Sequence, residues 1–152
     1  MKKNSLTRRS VAGVGVVAVV TLVTLTQAGC ATQVKSLPLA PVSAASSQGA
    51  DVALYFGAQA HPAVQRQLGR VSYSVRIART TDGPEASCSK ALAQALQKVR
   101  ADAREHGANA VVNVKTRFHS TETASATDYT CGVSPSAAAI AVEGERVVLQ
   151  AN

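Results

Sequence analysis

Apolar and polar positions alternate most clearly between residues 71 and 77. Val71, Tyr73, Val75 and Ile77 fall on one side, Ser72, Ser74 and Arg76 on the other. That period of two predicts a strand with one face buried. Thr80-Thr81-Asp82-Gly83 reads as a turn. The period then changes. Leu92, Ala95, Leu96, Val99 and Ala103 form a single helical stripe, while Lys90, Gln94, Gln97, Arg100 and Arg104 lie mostly off it. Pro84 and Glu85 suit the first turn of that helix, and Gly107 suits its end. A second alternating run, Ala110, Val112, Val114 and Phe118, predicts a strand over about 109–118.

Shorter signals fill in the rest. Asp51 to Gly57 begins with a β-rich run, and His61-Pro62 lies in a connection. Ser120 to Thr127 is polar and reads as a hairpin loop. Thr127 to Val133 is a short strand with Tyr129, Cys131 and Val133 on one face, ended by Ser134-Pro135-Ser136. Ala137 to Leu149 is the last strand region, where Gly144 marks a bulge in one strand or a turn between two. The expectation is an α+β domain over 51–152 in the order β-β-α-β-β-β, with one amphipathic helix on a mainly antiparallel sheet of four to five strands.

The N-terminal third follows different rules. Lys2, Lys3, Arg8 and Arg9 precede an apolar run of fifteen residues, Val11 to Leu25. A spanning helix needs about 20 residues, so the run fits an export signal better than an anchor. Ala28-Gly29-Cys30 follows and resembles a bacterial lipobox, although Gln27 stands where that pattern prefers Leu. The reading is a lipoprotein signal peptide over 1–29 and a lipidated N-terminus at Cys30, with an ordinary signal peptide as the alternative. Arg8-Arg9 also allows a twin-arginine signal. By resemblance to lipoprotein sorting, Ala31 after the Cys favours the outer membrane, facing the periplasm; a soluble periplasmic protein is the alternative. Residues 31–50, rich in Pro, Ser and Ala with no sustained period, read as a flexible spacer.

Charge and composition narrow the function. The formal charge is +7, but four cations lie in the first nine residues, which leaves +3 for the remainder. With five aromatics and no Trp, a nucleic-acid partner is poorly supported. No Gly-x-x-x-x-Gly-Lys-Ser/Thr run exists to cradle phosphates, and no Gly-x-Ser-x-Gly elbow to present a nucleophile. Glu143 and Glu145 are same-face strand neighbours and read as a solvated edge. His61, His106 and His119, even with Glu122 or Asp128, lack a ligand spacing. The expectation is therefore no enzyme, no cofactor and no metal. Arg70, Arg76, Arg79, Lys115 and Arg117 would make a basic sheet face if their strands are neighbours.

Cys88 lies on the helix stripe and Cys131 on a strand face. If that helix packs on that face, both thiols enter one layer, where an exported chain would oxidise them. The alternative is two separate buried thiols.

Tyr55-Phe56-Gly57, His61-Pro62, Gly69-Arg70-Val71, Cys88, the block Gly107 to Val114, Tyr129-Thr130-Cys131-Gly132 and Glu143 to Val148 occur in a distinctive order. In these the chain from Tyr55 to Leu149 resembles small bacterial envelope proteins of the RcsF/YbjQ-like family. Many of them carry the transferred label "excinuclease ATPase subunit". RcsF itself has four cysteines in two bridges, of which Cys88 and Cys131 match two. The resemblance implies a membrane-tethered interaction or sensor-like domain, held to lipid through Cys30, with another envelope protein or copies of itself as partner. A metal-binding YbjQ-like oligomeric domain is its second implication.

Overall fold

A computed structural model describes residues 31–151. The elements in chain order are β1 (Gln33–Pro38), α1 (Ala40–Ser47), β2 (Ala53–Phe56), β3 (Val64–Ala78), α2 (Pro84–Glu105), β4 (Ala110–Phe118), β5 (Thr121–Thr123), β6 (Asp128–Val133) and β7 (Ala137–Leu149). All strands join one seven-stranded sheet. The fold is thus mixed α/β with two helices, which corrects the α+β expectation of one helix on four to five strands.

β7 organises the sheet. It pairs with β3 along one side and with β4, then β6, along the other, all antiparallel. β1 extends the sheet beyond β6, β2 runs parallel to β4, and β5 pairs with the end of β4. The Ala-rich stripe of α2 lies on the sheet. Its Leu92, Leu96 and Val99 are fully buried with Val111 and Val114 of β4, Tyr129 of β6 and Val142 of β7. Small Ala side chains at 91, 95 and 103 are also fully buried on this stripe.

The helix ends where the sequence changes character. Gly107 takes φ +72 and its N–H donates to the Arg104 carbonyl, the left-handed exit that glycine adopts without strain. At the other end of the chain's core, Cys88 in the first turns of α2 is bonded to Cys131 of β6, with Cα atoms 6.0 Å apart. Gly144 stands inside a continuous β7, opposite a bulge in β4, so the final region is one strand.

The spacer reading of 31–50 is also corrected. β1 pairs residue by residue with β6 from Gln33–Val133 to Pro38–Asp128. Leu37, Leu39 and Val42 are buried, and the Leu39 N–H donates to the Thr127 carbonyl at 2.7 Å. Arg100 of α2, itself buried, donates from Nε to the Val52 carbonyl and from Nη2 to Ser47 Oγ, tying α1 and the turn after it to the domain. Three spaced apolar residues on a Pro-Ser-Ala background give no period. The strand exists because β6 offers it a hydrogen-bonding edge, a tertiary effect that outweighs local preference.

Leu39→Ala measures this packing. Leu39 is 1% exposed, and truncating it at the margin of the core is expected to lower stability by about 2 kcal/mol. Denaturant unfolding of the full chain reads the loss; no loss would return the segment to a loosely attached arm.

Cys30, the expected lipidation site, and the whole apolar run before it lie outside the described residues. Among the described residues no helix is long and apolar enough to cross a membrane.

Candidate functional site

α2 covers one face of the sheet. On the other face β3, β7 and β4 present the side chains of alternate residues. Arg70, Ser72, Ser74 and Arg76 come from β3, Glu143 and Glu145 from β7, and Lys115 and Arg117 from β4. The register places Arg70 opposite Glu145, Ser72 and Lys115 on either side of Glu143, and Arg117 opposite Glu122 of β5. β7 lies between β3 and β4, so the strands of the expected basic face are not neighbours, and the face is mixed: four cations share it with three carboxylates. Arg79, the fifth residue of that expectation, lies elsewhere. Its guanidinium donates to the carbonyls of Asp82 and Ser134 and clamps the two turns together.

A bulge shapes the middle of this face. Val112 pairs with Glu145 and Lys115 with Glu143, so Asn113 and Val114 together oppose Gly144. Asn113 takes φ +52, a left-handed conformation that Asn tolerates better than most side-chain-bearing residues. The bulge turns Val111 and Val114 onto β7. A Cβ at position 144 would lie 2.6 Å from Val111 Cγ1, so only glycine fits there. Beside the bulge is a cleft of about 250 Å³ lined by Gly57, Arg70, Ser72, Asn113, Lys115, Ala124, Glu143 and Glu145. At the β2 end of the face, Ala110, Val112, Val147 and Leu149 form a small second core with Tyr55, against which the His61 ring packs edge-on.

Ion pairs set the electrostatics of the cleft. Arg117 donates to Glu143 Oε1 from Nη2 at 2.7 Å and from Nε at 3.1 Å. Lys115 Nζ lies 2.9 Å from Glu122 Oε2 and 3.8 Å from Glu143 Oε2. Hydrogen bonding from Arg117 holds the Glu143 carboxyl below its ordinary range; partial burial opposes this, and the charges of Arg117, Lys115 and Arg70 reinforce it. A carboxyl so held accepts a proton poorly near neutral pH, which makes it a weak general base for the neighbouring Ser72 hydroxyl. What the arrangement does well is present fixed, opposite charges to a polar surface.

The depressed Glu143 pKa has a defined pH consequence. A group whose folded pKa lies below its unfolded one contributes stability that is present above the unfolded value and is lost as pH falls through the folded one. The loss begins near the ordinary glutamate value of 4.5 and continues below it. Glu143→Gln removes this proton uptake, so its stability is expected to fall less steeply than wild type below about pH 4.5. Parallel slopes in acid unfolding of the two proteins would contradict the assignment.

The three histidines do not meet. His61 sits on Tyr55, His106 caps α2 beside Asp102, and His119 packs on the Phe118 ring at the end of β4. Asp128 accepts from the Thr127 hydroxyl at 2.6 Å and Glu122 pairs with Lys115. Among the described residues no three His, Cys, Asp or Glu side chains lie close enough to hold a metal ion.

One charged cluster has no sequence signal. On the helix side, Asp102 of α2 accepts from Arg146 Nη1 at 2.8 Å and from the Tyr73 hydroxyl at 3.0 Å. That hydrogen bond to Asp102 raises the Tyr73 pKa, with smaller contributions from burial and the Asp102 charge. The partners are 29 and 44 residues apart in sequence, so only the packing of α2 on β3 and β7 brings them together. Comparison with family models, curated proteins and solved structures finds no match to this chain.

Proposed function

We propose that this protein is a non-catalytic interaction domain of the cell envelope, carried on a membrane lipid through acylated Cys30 in the manner of RcsF/YbjQ-like lipoproteins. The observation that carries the reading is the sheet face left open by α2. There four cations and three carboxylates lie on successive strands, Arg70, Lys115, Glu143 and Glu145 among them line the bulge cleft, and Glu143 is ion-paired to Arg117. Such a face recognises another polar surface by charge pattern, which gives specificity and encounter rate more than raw affinity. The Cys88–Cys131 bond supports the same reading, since disulfides persist in oxidising compartments such as the periplasm.

The anchor holds the domain close. β1 begins at Gln33, three residues after Cys30, and three extended residues reach about 10 Å. A lipid on Cys30 would keep the folded domain against the bilayer, where its partner is expected to be a membrane-associated envelope protein.

Intact mass of the protein purified from a bacterial membrane fraction tests the reading. A triacylated chain that starts at Cys30 and is two protons lighter than its reduced sum supports it. An unlipidated chain in the soluble fraction, or one retaining residues 1–29, overturns the anchor.

A further inference from the structure

β3 is the longest strand and lies at the edge of the sheet. Twelve of its fifteen residues pair with β7 on one side, and among the described residues no strand pairs with the other. Irregularities between Val64 and Arg70 break its first half, but Arg70 to Ala78 pairs with β7 without interruption. Exposed edges of this kind are templates for another strand, and proteins usually blunt them with Pro, Lys or bulges. From Arg70 to Ala78, β3 has no Pro, Lys or bulge, and its only edge charges are Arg70 and Arg76, both of one sign.

The register shows which backbone groups are free. Arg79 continues the β3–β7 register, and its N–H donates to the Ser136 carbonyl at 2.8 Å. In an antiparallel ladder alternate residues turn their N–H and C=O to the same neighbour. Ile77, Val75, Tyr73 and Val71 therefore bond to β7, and Ser72, Ser74 and Arg76 turn theirs outward. All three of these are exposed.

We infer that the free edge of β3 binds an extended, acidic segment of a partner protein by adding it as a further strand. The charge pattern selects the occupant. β3 carries Arg66, Arg70 and Arg76 and no carboxylate. Glu145 of β7 stands beside Arg70, but Arg76 has only Ala139 across the strand pair. A second copy of this chain, paired antiparallel about Tyr73, would set Arg70 against Arg76, and like charges directly opposite are destabilising; paired about Ser74, it would set Arg76 against Ser72 and Arg70 against Ala78, so no such register gives either arginine a carboxylate. A carboxylate-bearing strand supplies one. On the helix face, Tyr73 and Ile77 are only partly buried against the core, so the incoming strand would carry apolar residues there. The segment thus alternates acidic and apolar residues, with main-chain bonds supplying affinity and side chains supplying selectivity. The proposal rests on the interaction reading but not on its lipid anchor, because it is tested by peptide binding and the anchor by mass.

The probe is a labelled peptide of about ten residues alternating valine and glutamate, titrated into the full-length protein in detergent. A valine–lysine peptide is the comparison. The glutamate peptide is expected to bind and the lysine peptide not. Ser74→Pro removes an outward N–H while sparing the β7 ladder, and should abolish binding. Arg70→Ala with Arg76→Ala should weaken it about fivefold, as two exposed ion pairs would. In the wild type, the Ser74 and Arg76 amides should gain protection from hydrogen exchange when the peptide binds, a readout that holds even if the proline variant misfolds. Equal binding of both peptides, undiminished binding by a folded Ser74→Pro protein, or no new amide protection would overturn the proposal. So would protection that rises with protein concentration alone, which would assign the edge to a second copy.

Discussion

Replacing both Cys88 and Cys131 with alanine should lower unfolding stability by about 4 kcal/mol. The bond closes a separation of 43 residues, and the chain-entropy model gives a stabilisation of that size for such a loop. Both cysteines are 0% exposed, so the bridge lies within the main core. The core it supports is short of bulk: three buried positions of the α2 stripe are alanine. A domain of this size usually has 5–15 kcal/mol in total, so the bond supplies a large share. Denaturant midpoints of wild type and the double variant, each with and without a thiol reductant, separate the contributions. Wild type should fall towards the variant when reduced, and the variant should not respond. A loss below about 1 kcal/mol would mean that the bond merely decorates a core already sufficient. Alkylation gives a second check, because neither cysteine should label in unfolded, unreduced protein.

The same pair shows what the sequence makes legible. Cys88 announces its side through Leu92 and Leu96 on a helical stripe, and Cys131 through Tyr129 and Val133 on a strand. α2 and the regular part of β3 are readable for the same reason: each has one buried and one exposed face, which writes a period into the chain. The elements that carry no period are the ones misjudged. β1, α1 and the Leu39 between them bury only Leu37, Leu39 and Val42. β5 is Thr-Glu-Thr and exists because β4 offers it an edge from Thr116 to Phe118. The parallel pairing of β2 with β4 leaves no mark in either segment, since pairing partners are chosen by the whole sheet.

The open face was half legible. Its cations can be placed on strands from alternation alone, but nothing in either strand shows that β7, with its carboxylates, lies between β3 and β4. The carboxylates that make the face mixed needed the register, because the β4 bulge shifts Lys115 onto Glu143. Were the same residues to run on as a regular strand, Val114 would stand opposite Glu143 and the side chains of β4 would change faces from that point on. The bulge is also why Val114 belongs to the main core while Val112 belongs to the small one behind it.

Gly57→Ala is expected to cost about 3 kcal/mol and to deform the cleft. Gly57 follows β2 with φ +55, where a side chain costs about 1–2 kcal/mol through contact with its own carbonyl. The surroundings add to this. A Cβ at 57 would lie 2.6 Å from the Ala124 carbonyl oxygen and 2.9 Å from its carbon. Those are backbone atoms, which cannot swing aside as a side-chain tip does, and overpacking of this kind typically costs a further 1–3 kcal/mol. Gly57 is meanwhile fixed from the other side by its N–H, which donates to the Val114 carbonyl at 2.9 Å within the bulge. Relief therefore requires the loop around Ala124 to retreat from the cleft or β2 to slide from β4. Gly107→Ala is the control: it has a similar φ of +72 but nothing within 4 Å of its added Cβ, so it should cost only the conformational part. Unfolding midpoints of the two variants give the difference directly. Equal losses would show that the Ala124 loop yields freely; a markedly larger loss at position 57 would show that the cleft is built on a rigid backbone contact.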